Sequence, residues 1–374
     1  MAAQRLMKDG LNTASAQRIA QAINQVYPEF NVEQFIAQID SGLAALELKQ
    51  RVNHFIAVLA KHLPQDFIAC HKILTQLKPH WDHGDPDDAL RSFAAWPVTD
   101  FVAKYGLDFP ELAFDCLHYL TSLFSAEFAI RPLIEKYPDL SAKYLRQWVT
   151  DDDYHVRRLT SEGTRPRLPW GIRLQRFCQD PSPNLWLLEQ LKDDDSEYVR
   201  RSVANHLNDI AKDNPDIVID MCKRWQQDAS TKTQWVIKHA CRSLIKSGNP
   251  EVFPLLGFTE FPNVILEKFS LINTELTLGD VLSFSVQLTS SSNSTQKLAI
   301  DFVIYHMKAN GKLSAKVFKL KEVTLNSKES ISLTKQHTIK AITTRKYYSG
   351  AHKIAIQVNG REEVIKDFKL TVPD

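Results

Sequence analysis

The stretch "DDDYHVRR", residues 151–158, returns as "DDDSEYVRR", residues 193–201, and this recurrence decides how the chain is read. Each copy places an aspartate four residues before a valine, Asp152 before Val156 and Asp195 before Val199, and each follows the valine with two arginines. A third, weaker copy, "TQWVIKH", sets Val236 before Ile237, Lys238 and His239. The valines are 43 and then 37 residues apart, close to the ~40 to 47 residue period of two-helix repeats. D-x-x-x-V-R is the pattern of HEAT repeats, which stack so that their inner helices share one concave face.

Outward from these copies, the chain up to about Gly257 reads as helix after helix. In "ELKQRVNHFIAVLAKHL", Leu48, Val52, Phe55, Ile56 and Leu59 recur at three- and four-residue steps and make one apolar stripe. Short breaks such as "HLPQD", "KYPDL", "KDNPD" and "KSGNP" separate similar stripes, and only 12 glycines occur in 374 residues. Near Phe261 the texture changes. "VILEKFSLI", "VLSFSVQLTS", "KLAIDFVIYHM", "KVFKLKEV", "SISLTKQHTI", "HKIAIQV" and "VIKDFKLTV" are short, β-branched and partly alternating, with "LGD", "SSSNS", "NGK", "NSKE" and "VNG" turns between them. Seven strands in ~110 residues suit an immunoglobulin-like sandwich, here without the Cys and Trp of antibody domains. The expectation is a mainly α chain: a HEAT-like helical-repeat solenoid over residues 1–260, then an immunoglobulin-like β-sandwich over residues 261–374.

Composition narrows the function classes. No window approaches the ~18 consecutive apolar residues of a membrane span, and the first residues lack an apolar signal core, so a cytoplasmic protein is expected. The five cysteines, Cys70, Cys116, Cys178, Cys222 and Cys241, are scattered and form no C-x-x-C pair, which disfavours a disulfide framework and a zinc site. The net charge of +2 hides an asymmetry: Pro262 to Asp374 holds 16 Lys+Arg against 10 Asp+Glu, leaving 30 against 34 elsewhere. A basic C-terminal part hints at a polyanionic partner. No Walker loop, G-x-G-x-x-G, G-x-S-x-G or Cys/His nucleophile pattern is present, and no cofactor is implied. "PHWDHGDPDD", residues 79–88, gathers acids and histidines but reads as an acidic loop, with no metal expected.

Three acids stand out. On a helix from Ser196, Arg201, Asn205 and Asp209 fall at i, i+4, i+8 on one stripe. Glu162 follows Val156 by six residues as Asn205 follows Val199, so Glu162 and Asp209 can face the same concavity. The plainer reading makes Arg158 with Glu162 a surface i,i+4 pair and Asp209 a solvated residue. Glu127 lies in "SAEFAIRPLI", where Pro132 leaves the Phe128 carbonyl without a helical donor and should kink or tighten the chain; pairing with Arg131 is the plainer reading. Arg157, Arg158, Arg200, Arg201, Lys238 and Arg242 would sit on successive inner helices, where cations can follow a phosphate backbone. "TSEGTRPRLPW", residues 160–170, ends a helix at Gly163, Pro166 and Pro169 and carries Arg165, Arg167 and Trp170. An exposed indole can contact a cationic ring, although loop tryptophans usually pack on their own domain. "AITTRKYYSG", residues 341–350, sets Arg345 and Lys346 beside Tyr347 and Tyr348.

"LKQRVNHFIAVLAKHLP", "FSAEFAIRPLI", "HVRRLTSEGTRPRLPW", "WVIKHACRSLIKSGNPE" and "AITTRKYYSGAHKI" together resemble the AlkC family of bacterial alkylpurine-DNA glycosylases, over essentially the full chain. The most specific element is "SEGTRPRLPW". The resemblance implies a HEAT-like array with an immunoglobulin-like domain. It implies hydrolysis of the N-glycosidic bond of cationic N3-methylated bases, notably 3-methyladenine and in some members 3-methylcytosine, in duplex DNA and without rotating the base out of the stack. It makes Glu162 and Asp209 the catalytic carboxylates with Glu127 nearby, and Trp170 the contact to the lesion nucleotide. Arg165 and Arg167 would then hold phosphates, and the β domain would clamp the duplex through Arg345 and Lys346. The expected partner is alkylated double-stranded DNA bound by a monomer, with no membrane involved. Two other classes stay open from the residues themselves: a HEAT-repeat protein-interaction scaffold, and a catalytically silent protein that binds distorted DNA.

Overall fold

The structure is a computed structural model that describes residues 6–342 and 345–373. It divides into two compact units, Met1–Asn214 and Pro215–Asp374. The first unit holds α1 (Thr13–Val26), α2 (Val32–Asp40), α3 (Leu48–His62), α4 (Phe67–Leu74), α5 (Trp96–Tyr105) and α6 (Pro110–Leu120). It continues through α7 (Ile130–Lys136), α8 (Pro138–Trp148), α9 (Tyr154–Gly163), α10 (Gln175–Gln179), α11 (Ser182–Leu191) and α12 (Glu197–Ile210). The second unit opens with α13 (Pro215–Gln226), α14 (Thr231–Ala240), α15 (Arg242–Lys246) and α16 (Val252–Leu255), and only then turns to strand. The change of texture at 260/261 therefore marks a change of secondary structure, whereas the packing divides the chain at 214/215. The reason lies in side chains: α15 packs on a strand of the sandwich, so the last helices share a unit with it.

The helices begin where short polar residues satisfy free N–H groups. Asn12 accepts from Ser15 N, Asp66 from Ile68 N and Ala69 N, Asp153 from His155 N, and Ser230 from Thr233 N. Proline sits in the first turn of α5, α6, α8 and α11, where its missing N–H costs nothing. The α3 stripe is buried at Val52, Phe55, Ile56 and Leu59. Between α6 and α7, Trp96 stacks on Phe124 and Phe128 with ring centroids 5.2 Å apart in each case. That stack pins the turn that carries Glu127.

The strands are β1 (Val264–Leu271), β2 (Glu275–Thr277), β3 (Val281–Ser290), β4 (Gln296–Met307), β5 (Leu313–Leu325), β6 (Ser330–Thr338), β7 (Gly350–Val358) and β8 (Arg361–Thr371). They form a three-stranded sheet, β1-β3-β6, and a five-stranded sheet, β2-β8-β7-β4-β5. All described pairings are antiparallel except β2 with β8, which run parallel with Leu276 opposite Leu370. Phe269, Leu282, Phe284 and Leu288 of one sheet meet Leu298, Ile300, Phe302 and Ile354 of the other in one core, with Phe284 and Phe302 rings 5.2 Å apart. This is the immunoglobulin-like sandwich read from the sequence, with eight strands instead of seven. The extra strand, β2, is three residues long, too short to show alternation. Thr343 and Thr344 of the "AITTRKYYSG" stretch lie outside the described residues.

Candidate active site

The repeated "VRR" brings α9 against α12. Val156 and Val199 are buried, and the first arginine of each copy does the same job: Arg157 Nη1 donates to the Asp151 and Asp152 carbonyls, and Arg200 Nη1 to those of Asp194 and Asp195. Each guanidinium closes the loop that leads into its own helix. Arg157 also grips Asp194 of the next copy at 2.6 and 3.0 Å, and Ser202 Oγ donates to Ser161 Oγ at 2.9 Å, so adjacent repeats are tied at both ends of the contact.

The second arginine of the first copy opens a buried chain of alternating charge. Arg158 Nη1 donates to Glu127 Oε2 at 2.6 Å, and its Nη2 lies 3.5 Å from Glu162 Oε1. Arg165 Nη1 donates to that same Glu162 Oε1 at 2.6 Å, and Arg165 Nε donates to Asp209 Oδ2 at 2.9 Å. Asp209 Oδ1 then accepts from Lys212 Nζ at 2.9 Å. Glu162 is 4%, Asp209 2% and Arg165 7% exposed. Burial pushes the Glu162 carboxyl up, but the Arg158 and Arg165 guanidiniums outweigh it and hold the group below the usual carboxylate range. A buried His206 beside this chain is held down to about 3 by desolvation and by Arg165, so at neutral pH it is uncharged.

Glu127 occupies a turn before α7, with Arg131 N bonded to the Phe128 carbonyl in place of a full helical turn, the tightening expected from Pro132. Its partner is Arg158 and not Arg131. Arg131, wholly buried, instead donates from Nη1 to the Gly163 carbonyl at 2.8 Å and from Nε to the Ile172 carbonyl at 2.7 Å. One side chain thus caps the end of α9 and holds the loop that follows. Gly163 permits this: a Cβ there would stand 2.6 Å from Ile130 Cγ2 of α7.

Loop 164–174 is pinned at several points. Leu174 N bonds the Pro166 carbonyl, Arg167 forks onto Asp213, and Leu168 and Leu174 are buried. From this fixed base Trp170 and Ile172 project, 57% and 52% exposed. Trp170 has a φ of +64°, a left-handed conformation that a bulky side chain adopts at a cost. An exposed indole on a strained, well-anchored backbone position marks a contact surface.

The structure brings Glu162 and Asp209 together, as their spacing allowed, and adds Glu127 to the same network; neither the Arg158/Glu162 pair nor Asp209 is at the surface. Arg158 and Arg165, expected at phosphates, turn inward and pair with Glu127, Glu162 and Asp209, carboxylates shielded enough from water to need counter-charge. Arg157 likewise serves the repeat contact. Arg167 with Asp213 and Arg201 with Glu197 form pairs nearer the solvent. Lys238 is exposed on α14, Arg242 donates to the His239 carbonyl, and Arg345 and Lys346 lie over the Tyr347 and Tyr348 rings at 5.9 and 5.7 Å. Arg131, Lys212 and Ile172 escaped the sequence reading. Only Lys212 carried a signal, a cation three residues beyond Asp209, in the turn that ends α12.

Residues 124–244 match the family described as DNA alkylation repair enzyme, and residues 265–372 match the C-terminal Ig-like domain of Uncharacterised protein YhaZ. The Uncharacterized protein YhaZ of Bacillus subtilis (strain 168) is 32% identical over 365 residues, covering 97% of this chain and 99% of that protein. The Pseudomonas fluorescens alkylpurine DNA glycosylase AlkC, solved bound to DNA containing an abasic site analog, superposes with a TM-score of 0.88 at 35% identity, over 98% of this chain and 100% of its own. The chain belongs to the AlkC family. Family membership accounts for the HEAT-like repeats and the Ig-like sandwich together. Among the described residues no helix is long and apolar enough to cross a membrane, and no group of three or more His, Cys, Asp or Glu is placed to hold a metal ion.

Proposed function

We propose that this chain, acting as a monomer on duplex DNA, hydrolyses the N-glycosidic bond of cationic alkylated bases, 3-methyladenine first and 3-methylcytosine by the same charge logic. The observation that carries the reading is the buried Glu127-Arg158-Glu162-Arg165-Asp209 chain at the root of the Trp170 loop. A base methylated at N3 is already positively charged and leaves as a neutral molecule. The enzyme therefore supplies no proton; it stabilises the cationic sugar and orients a water. Carboxylates do both, as in glycosidases.

Asp209 is the carboxylate assigned to the water. Its Oδ1 is held by Lys212, whose side chain is 45% exposed, so a DNA phosphate that draws Lys212 away uncovers that oxygen. Glu162, locked behind Arg158 and Arg165, keeps negative charge beside the sugar and sets the position of Arg165. Trp170 meets the lesion nucleotide, Arg167 and Arg201 reach phosphates, and Lys238, Arg242, Arg345 and Lys346 add contacts from the second unit. A site that approaches the sugar from outside has no need to rotate the base into a pocket.

The test is release of free base from methylated duplex DNA by the purified protein beside Glu162→Gln and Asp209→Asn. Release by the wild type alone supports the assignment. Equal release by all three sinks it, and no release with steeply salt-dependent DNA binding would support the silent DNA-binding alternative.

A further inference from the structure

The second unit contains a cavity of about 470 Å³ between α14, α15, α16 and the face of β4 and β5, which holds none of the acids of the proposed base excision. Its volume lies in the range of ~300 to 1,000 Å³ typical of sites for small organic ligands. The lining separates by chemistry. Ile237, Ile245, Leu255, Phe258 and Val317 give it an apolar floor. Lys238, Lys246, Lys297 and Lys319 stand around it, against two acids, Asp301 and Glu322. Lys319 bonds Glu322 at 2.7 Å, and Lys319, Lys238 and Lys297 together hold the Glu322 carboxyl below its usual range, so the lysines converge on one place. One of them neutralises Glu322; the surplus is positive.

Asp301 is the unusual member. It is 7% exposed on β4, and burial pushes its carboxyl up to about 6. The sheet carries a bulge at this point: Ile300 pairs with Lys321 and Asp301 with Lys319, leaving Leu320 as the extra residue. Bulges re-aim side chains, and they gather beside binding sites. A buried acceptor, an apolar floor wide enough for a flat ring and a cationic rim make three separate demands. A planar heterocycle with an N–H donor edge and an attached phosphate meets all three.

We propose that this cavity binds a nucleoside monophosphate group, with the base on the Ile237 and Phe258 floor, an amino edge donating to Asp301, and the phosphate among Lys238, Lys246 and Lys297. Such a group can arrive as a free mononucleotide or as one nucleotide of a DNA strand. The inference shares Lys238 with the DNA contacts proposed above but involves none of Glu127, Glu162, Asp209 or Trp170, and its test varies only Lys246 and Lys297, which that reading does not use.

Calorimetric titration of the full-length protein with dAMP tests it, with inorganic phosphate, deoxyadenosine and dTMP as partial ligands. The expected result is saturable dAMP binding, about tenfold tighter than dTMP, which lacks an amino group, and tighter still than phosphate or deoxyadenosine alone. Lys246→Ala and Lys297→Ala should each weaken dAMP binding by about tenfold, with unchanged thermal melting. If unmodified duplex DNA expels bound dAMP, the site takes a strand nucleotide; if both bind together, it takes the free one. Absence of saturable dAMP binding overturns the proposal. So does dAMP binding that both lysine variants leave untouched.

Discussion

Helices α9 and α12 carry the same "VRR", and their first and second arginines have had different fates. Arg157 and Arg200 share a role, each closing the loop ahead of its helix through two backbone carbonyls, and Arg157 adds a grip on Asp194. Arg158 and Arg201 share none. Arg158 is buried between Glu127 and Glu162, with its guanidinium 4.3 Å over the Tyr198 ring, while Arg201 faces solvent with only Glu197, one turn back, as partner. Where two repeats agree, the residue is holding the repeat together; where they part, one copy has been drawn into the buried charge network.

Four measurements bear on this contrast. The largest difference is expected between Arg158→Ala and Arg201→Ala in urea denaturation. Removing Arg158 strips Glu127 of its guanidinium and leaves Glu162 with Arg165 alone, and should cost about 3 kcal/mol, whereas the exposed Arg201 pair should be worth about 0–1 kcal/mol. Equal losses would erase the distinction. Next come the acids: Glu162→Gln or Asp209→Asn should reduce base release by about 10²- to 10³-fold, measured in single turnover, with DNA affinity kept. Third, Arg157→Ala and Arg200→Ala should each lose about 1–3 kcal/mol, because each removes a charged donor from two loop carbonyls, with Arg157 at the upper end since it also holds Asp194. A loss confined to one of them would mean that the copies are not equivalent after all. Smallest is Trp170→Gly, expected to gain about 1 kcal/mol of stability by relaxing the left-handed backbone while base release falls. A gain in stability with undiminished release would deny the indole its contact.

How far the sequence carried the reading follows from the range of each interaction. Periodicity reports which face of a helix is apolar, so the α3 stripe, the buried valines and the sandwich strands were legible. So was the placing of Glu162 and Asp209 on one side of adjacent repeats, because the offset from Val156 and Val199 fixes it. Side-chain direction at the loop was not. Arg165 and Arg167 stand two residues apart in one loop, yet only Arg165 lies within reach of both Glu162 and Asp209, and that depends on where the helix ends. Arg131 was illegible for a related reason: its partners are the carbonyls of Gly163 and Ile172, backbone atoms that no residue type announces. The plainer partner for Glu127, four residues on, lost to one 31 residues away.

The shortest strand has a consequence for the life of the chain among its own copies. An uncovered strand at the border of a sheet is a template for other chains. In the five-stranded sheet β2 lies along β8 for only three residues, a span too brief to recruit a partner, and the opposite border, β5, is studded with Lys316, Lys319 and Lys321 and broken by its bulge. Both borders of that sheet therefore discourage stacking with a neighbour.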